Sequence, residues 1–444
     1  MATLHGADSA FPYPIIENDI EGDPTPKDQA IYVPSVSVGY ARDAIGRASL
    51  RPIPGHLPPN LLDFLDQTNT MFRISHAMAS AGQFLGHDGP TMITSRDRSK
   101  TRIIGDSGGY QVATGKLHVQ DNGDRERILR WLEDNADIAM TLDVPPGGIG
   151  KAGFPHHSTE ECLHATITHL DYFYEKRNRD RGTIFLNVIQ GTTPQESVDW
   201  YNAVKIFPFE GWAVAGVLRN DIYHLCRLII IMHREGQLDG KRWFHVLGTN
   251  ELGIAVMLTA LQRAVKQHLG HDIRFSFDTS TPFRLLASNQ TFGFPQFTRD
   301  GMRIEQVAAP CGFEFIGKAV GWPFASTIGQ QLTMADMMVP CPSGNDTKRD
   351  TLGNHLLALH NLQALCWAVF SANRRFDVEL ITEKHTVGVK EGRAAAAIDR
   401  IMRARDPMKA LEQYESWFHN DLRKSYERTT ADDDRDFGDG YDDA

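Results

Sequence analysis

RIIGDSGGYQVATGKL (residues 102–117) decides how this chain is read. The apolar run Ile103-Ile104 ends in Gly105-Asp106-Ser107-Gly108-Gly109. That reads as a β-strand delivering an acid to its C-terminal tip, then a glycine turn that lets backbone approach a ligand closely. A carboxylate placed there can act as a general acid or base, or hold the N–H groups of a ligand. An isolated D-S-G-G is equally served by an aspartate that caps the next helix, so the recurrence of the pattern further along carries the argument.

The pattern does recur. DIAMTLD (137–143) ends in Asp143 before the turn PPGG, TIFLNVIQ (183–190) ends in Gln190-Gly191, and IRFSFD (273–278) ends in Asp278. WAVAGV (212–217) and WFHVLG (243–248) are further short apolar strands, and 31–40 and 71–75 read as the first two, with Pro34 at an edge or bulge. Between them, helical periodicity runs through 125–135, 160–176, 194–204, 222–233 and 251–267, with a weaker helix at 61–66. Thr193 is the expected cap of the helix at 194, with proline in its first turn. Eight strands alternating with amphipathic helices point to an α/β fold, a (β/α)8 TIM barrel over 31–290, with an open doubly wound sheet as the alternative. In such barrels the chemistry sits at the C-terminal strand ends, where Asp106, Asp143, Gln190, Gly216 and Asp278 all fall.

Outside the barrel, residues 1–30 read as an irregular N-terminal segment. Residues 291–430 read as an insertion with short strands, followed by C-terminal helices (355–371 and 394–403) packed on the barrel. Residues 431–444, ADDDRDFGDGYDDA, read as a disordered acidic tail with seven Asp against one Arg, which supplies −6 of the net charge of −10. That balance argues against a protein that coats nucleic acid by bulk electrostatics. The 444 residues, 41% hydrophobic and 23% charged, have ordinary globular composition. No run approaches the roughly 18 apolar residues of a membrane helix, and the N-terminal sequence lacks the basic start and apolar core of a signal peptide. Five scattered cysteines read as reduced thiols, and the expected location is the cytoplasm.

Six motifs in order, spanning roughly residues 70–375, resemble the tRNA-guanine transglycosylase superfamily. They are Asp106-Ser107-Gly108-Gly109-Tyr110-Gln111 for D-S-G-G-[FY]-Q, the acid strand DIAMTLD, Val188-Ile189-Gln190-Gly191 for the V-Q-G element, Gly211-Trp212-Ala213-Val214-Ala215-Gly216 for G-[YF]-A-x-x-G, Leu247-Gly248-Thr249, and Phe277-Asp278 through Pro282 and Arg284 for F-D-x-x-x-P-x-R. The resemblance implies exchange of a guanine base in nucleic acid for a 7-deazaguanine without backbone cleavage. Asp278 would be the nucleophile at C1′ and Asp106 the general acid/base. Asp143, Gln190 and Gly191 would meet the purine edge, the Ser107 and Gly216 backbones would complete the pocket, Tyr110 and His245 would sandwich the base, and Arg284 would contact the nucleic acid. His245 stands where the family more usually has methionine, so a pocket wall is its plainer reading. The target base has to leave any duplex to enter such a pocket.

The departures from the family pattern bear on the substrate. Most of the tRNA enzymes carry C-x-C-x-x-C and a following helical His, a closed zinc site; here only Cys341 and His360 remain as remnants, and Cys311, His355 or Asp346 have no supporting spacing. No zinc of the family type and no other cofactor is expected. With the tyrosine of DSGGY, the Val144-Pro145-Pro146 turn and no extra RNA-binding domain, the chain resembles the DNA-modifying branch, which inserts preQ0 or a derivative into bacterial or phage DNA. The implied partners are DNA, with tRNA as the alternative, the free 7-deazaguanine base, proteins that deliver the DNA and a second copy in a homodimer; a membrane is not among them. The implied setting is the bacterial cytoplasm, or a host cytoplasm for a phage-encoded chain. A divergent tRNA-guanine transglycosylase and a non-catalytic nucleic-acid-binding partner subunit are the rival readings.

Overall fold

Eight short strands, all parallel, form the centre of the computed structural model, which describes residues 28–46, 50–324, 326–339, 349–382 and 388–418. They are β1 (Ile31–Pro34), β2 (His76–Ser80), β3 (Arg102–Asp106), β4 (Ile138–Met140), β5 (Ile184–Ile189), β6 (Gly211–Val214), β7 (Trp243–Val246) and β8 (Arg274–Thr279). The order β1-β8-β7-β6-β5-β4-β3-β2 returns to its start, where the Val36 N–H donates to the Met78 carbonyl and Ser35 bridges Met78. The fold is a (β/α)8 TIM barrel.

Both faces of each strand are buried, as a parallel sheet requires, so the strands read as continuous apolar runs. In β5, Leu186 and Val188 point into the barrel, where they meet Met140, Ile104, Met78 and Val33, while Phe185 and Ile189 join the layer between sheet and helices. The register aligns Ile31 with Ser276 and Val33 with Asp278 on β1 and β8, and Ala213 with His245 and His245 with Ser276 across β6 to β8. Period 2 therefore carries Ser276, His245 and Asp278 to the inside of the barrel.

The outer helices follow the sequence. Thr193 caps the helix Pro194–Val204 through a reciprocal pair with Glu196, and proline opens the helix. Helices Asn122–Asn135, Thr159–Lys176, Ile222–Arg234 and Leu252–Leu269 lie where periodicity put them. Three early expectations need correction. The strand expected over 31–40 stops at Pro34, because Ser37 accepts the Tyr40 N–H and starts the helix Val38–Asp43. The helix expected over 61–66 is a run of turns, because the Asn69 amide takes the carbonyls of Asn60, Leu61 and Asp63, and Asp63 takes the N–H groups of Leu65 and Asp66. The strand expected over 71–75 is irregular, with Asn69 Oδ1 accepting from the Met71 and Phe72 N–H groups, and β2 begins one residue later at His76.

Beyond the barrel, strands Gln290–Thr298 and Gly301–Ala308 pair antiparallel, and helices Thr351–Thr382 and Val389–Arg403 pack on the helix Leu252–Leu269. The first 27 residues, Cys341 and the acidic tail lie outside the described residues. Among the described residues no helix is long and apolar enough to cross a membrane.

Candidate active site

Asp106 closes β3, with Ser80 of β2 beside it in register. Asp106 is half-buried, and desolvation raises its pKa; hydrogen bonds with Ser80 and the Gly108 N–H oppose the rise, and the negative charge of Asp278 adds to it. The Ser80 hydroxyl also lies 3.1 Å from Gln111 Oε1. Gly108 sits at φ +102° with Gly82 against it, so the chain turns tightly enough to return over the barrel. The neighbouring Gly109 has no room for a side chain without pressing on Asp143, whose Oδ1 would be 3.1 Å from a β-carbon there.

Asp143 follows β4 and is buried. Burial pushes its carboxyl up to about 7; the Gln190 side-chain N–H, donating to Oδ2 at 2.7 Å, opposes the rise and the Asp106 charge reinforces it. Gln190 follows β5 directly, and Gly191 and Gly216 let the next two loops touch: the Val217 N–H donates to the Gly191 carbonyl at 3.0 Å. The Ser107 hydroxyl turns away to donate to the Thr141 carbonyl, leaving its backbone at the site.

Asp278 lies in β8 on the far side of the mouth. Its Oδ1 accepts the Gly248 N–H at 2.8 Å and faces His245 Nε2 at 3.3 Å, and its carbonyl accepts the Thr249 N–H. His245 is completely buried, with Nδ1 2.7 Å from the Ser276 hydroxyl. The mouth thus brings together Asp106, Asp143, Gln190, His245 and Asp278. Tyr110 lies half-buried on the short helix Gly109–Ala113, and Arg284 half-buried at the end of Thr281–Arg284.

Sequence reasoning gave no role to four contributors. Ser80 escaped because β2 was placed over the wrong five residues. The Gly248 N–H and Ser276 act through backbone and through register, which an apolar-run reading does not resolve. Arg219, at the end of the turn Gly216–Arg219, places its guanidinium 3.2 Å from where a Gly248 β-carbon would stand; an arginine three residues after the glycine that follows a strand was the available signal.

His360, one remnant of the family zinc set, is buried with Nδ1 2.7 Å from the Ser326 hydroxyl and Nε2 3.2 Å from the Phe292 carbonyl. Burial lowers its pKa to about 4. His355 Nε2 pairs with Asp43, and the Cys311 sulfur accepts from the Asn289 amide. Among the described residues no three His, Cys, Asp or Glu side chains form a group that could hold a metal ion.

Neither a protein-family model nor a curated protein matches the chain. Chemically, the mouth offers one carboxyl held by backbone and imidazole, a second biased toward its acid form, and a third paired with an amide. That set can add to an electrophilic carbon, move a proton and grip a heterocycle with adjacent donors and acceptors.

Proposed function

We propose that this chain exchanges a guanine base in DNA for a free 7-deazaguanine through a covalent enzyme–nucleotide intermediate. One observation carries the reading: Asp106 closes β3 and Asp278 lies at the same end of β8, so both carboxyls belong to one barrel mouth, and burial and the Asp278 charge bias Asp106 toward its acid form. A nucleophile and a proton donor are thereby distinguished by environment.

In the first step a carboxylate oxygen of Asp278 bonds to C1′ as the C1′–N9 bond breaks. The bonding pair leaves with the guanine, which takes its proton from Asp106. In the second, Asp106 removes the N9 proton of the incoming base, whose nitrogen bonds to C1′ and releases Asp278. Two displacements retain configuration at C1′. Asp143 and Gln190 read the purine edge: guanine N1–H and its 2-amino group supply the donors that return Asp143 to its charged form, and the Gln190 amide donates to O6. The DNA branch is favoured by the sequence, in which only Cys341 and His360 remain of the zinc set that the tRNA enzymes carry.

The test is transfer of labelled guanine or preQ0 by the purified chain into duplex DNA or bulk tRNA. Label is expected in DNA, abolished by Asp278→Asn and slowed roughly 10²–10⁴-fold by Asp106→Asn, the range of general acid–base catalysis, with both variants melting as cooperatively as wild type. Label in tRNA alone would make this a tRNA enzyme without the family zinc. Transfer that survives Asp278→Asn would remove Asp278 as nucleophile, and no transfer into either acid would favour the binding-subunit reading.

A further inference from the structure

A polar column runs along the inner faces of β7 and β8, with His76 beside its Trp243 end. Trp243 Nε1 lies 2.6 Å from the Ser276 hydroxyl, that hydroxyl lies 2.7 Å from His245 Nδ1, and His245 Nε2 lies 3.3 Å from Asp278 Oδ1. Ile31 pairs with Ser276 in register and Ala213 with His245, so the column has apolar neighbours on both sides. Polar groups in such surroundings are expensive unless each finds a partner.

The chemistry of the donors gives the column a direction. An indole N–H can only donate, so the Ser276 oxygen accepts from Trp243. The serine proton is then directed to His245 Nδ1, which must be the nitrogen carrying the lone pair. The imidazole proton sits on Nε2 and points at Asp278 Oδ1. The opposite tautomer would deprive the serine proton of the imidazole as its acceptor and turn a nitrogen lone pair toward a carboxyl oxygen that already accepts the Gly248 N–H. Register makes the assignment local: His245 is directly opposite Ser276, and Asp278 lies two residues further along β8.

We infer that His245 is a positioning residue, locked as the Nε2–H tautomer by Ser276 and Trp243, which fixes the rotamer of Asp278 and leaves its other oxygen to attack C1′. The inference rests on the base-exchange reading for its kinetic consequence, though not for the tautomer itself. It differs both from stacking on the base and from the plainer pocket-wall role. A wall needs shape, whereas a positioning residue needs a donor at the place of Nε2.

Substitutions at 245 separate the two roles. His245→Phe and His245→Met keep an apolar wall and lose the donor; His245→Gln loses the ring and keeps an N–H close to the Nε2 position. If His245 positions Asp278, the Phe and Met variants lose roughly 10- to 100-fold in kcat, the loss expected for one hydrogen bond to a charged group, with KM for the free base little changed. His245→Gln recovers most of that loss, and Ser276→Ala lies between. Full activity in the Met variant together with a raised KM in the Gln variant would overturn the inference in favour of stacking.

A second measurement needs no turnover. With imidazole-¹⁵N histidine, the resonance that disappears in His245→Gln is expected to report the Nε2–H tautomer in wild type and a mixture of tautomers in Ser276→Ala. An Nδ1–H form in wild type would sink the inference whatever the kinetics. Absence of base transfer by the wild-type chain, with the Nε2–H tautomer present, would instead overturn the proposed reaction and leave the column intact.

Discussion

Asp143 is held against its own charge. Burial lifts its carboxyl to about 7, against the Gln190 hydrogen bond and with the help of Asp106, whereas an aspartate in an unfolded chain titrates near about 4. Between those values the folded chain holds a proton that the unfolded chain has released, so this group makes stability fall as pH rises from roughly 4 to 7. Asparagine at 143 keeps the shape and a carbonyl for the Gln190 N–H but has no charge to bury. Asp143→Asn is expected to melt above wild type near about pH 8, by at most ~4 kcal/mol of stability, with the gap closing toward about pH 5. Thermal unfolding at both pH values checks this, and a gap independent of pH would show that the buried proton is elsewhere. The residues at these positions were legible because an acid or amide at the end of an apolar run is conspicuous in any sequence. Ser80, Ser276 and Arg219 were not, since a serine or arginine gains its meaning here only from the strand placed beside it.

At the scale of elements, the loops after β5 and β6 show how closely the site depends on backbone. Gly216 adopts φ +59°, and a β-carbon there would lie 2.2 Å from the Gly191 carbonyl oxygen; one at Gly191 would meet the Ser197 backbone nitrogen at 2.7 Å. Backbone cannot swing aside as a side chain can. Gly216→Ala is expected to destabilise by roughly 2–4 kcal/mol, from overpacking together with the left-handed conformation. It should also disturb Gln190, which immediately precedes Gly191. Urea titration reads the first effect and KM for the free base the second; a variant as stable as wild type would mean the two loops do not touch. The helices were readable because their ends are written in caps and their faces in periodicity, as in Thr193 and Glu196. The first quarter of the chain was harder, because Asn69 and Asp63 divert backbone groups from a helix that the apolar pattern favours, and because β2, HAMAS, is too short and small-sided to stand out beside the more apolar MFRIS before it.

The whole barrel has one weak line, the seam where β1 and β2 meet through a single bridge. On the β1 side of it, the long helix Thr351–Thr382 is tied to the segment after β1 by His355 and Asp43, both buried, with Nε2 2.8 Å from Oδ2. Burial alone would raise the Asp43 pKa, but the hydrogen bonds and charges of His355 and Arg42 outweigh it and hold the carboxyl below the ordinary value. The sign follows: the pair stabilises the fold above the unfolded value near about 4 and is lost as pH falls through the folded one. Removing one partner leaves a charge or a polar ring buried, whereas replacing both removes the burden altogether. His355→Leu, which strands the Asp43 carboxylate beside Arg42 alone, is expected to lose about 2–4 kcal/mol, Asp43→Leu less, and the double variant less than the sum. Denaturant titration of the four proteins measures the coupling, and strictly additive losses would show that the pair is not a unit. Hydrogen exchange then locates the effect. In His355→Leu the amides of β1 and β2 should exchange faster than in a variant equally destabilised in the helix Ile222–Arg234, on the other side of the barrel, because only the first loosens the seam. Equal exchange in both would mean that the seam is held by the apolar contacts of the long helix, and that the ion pair merely fills its place among them.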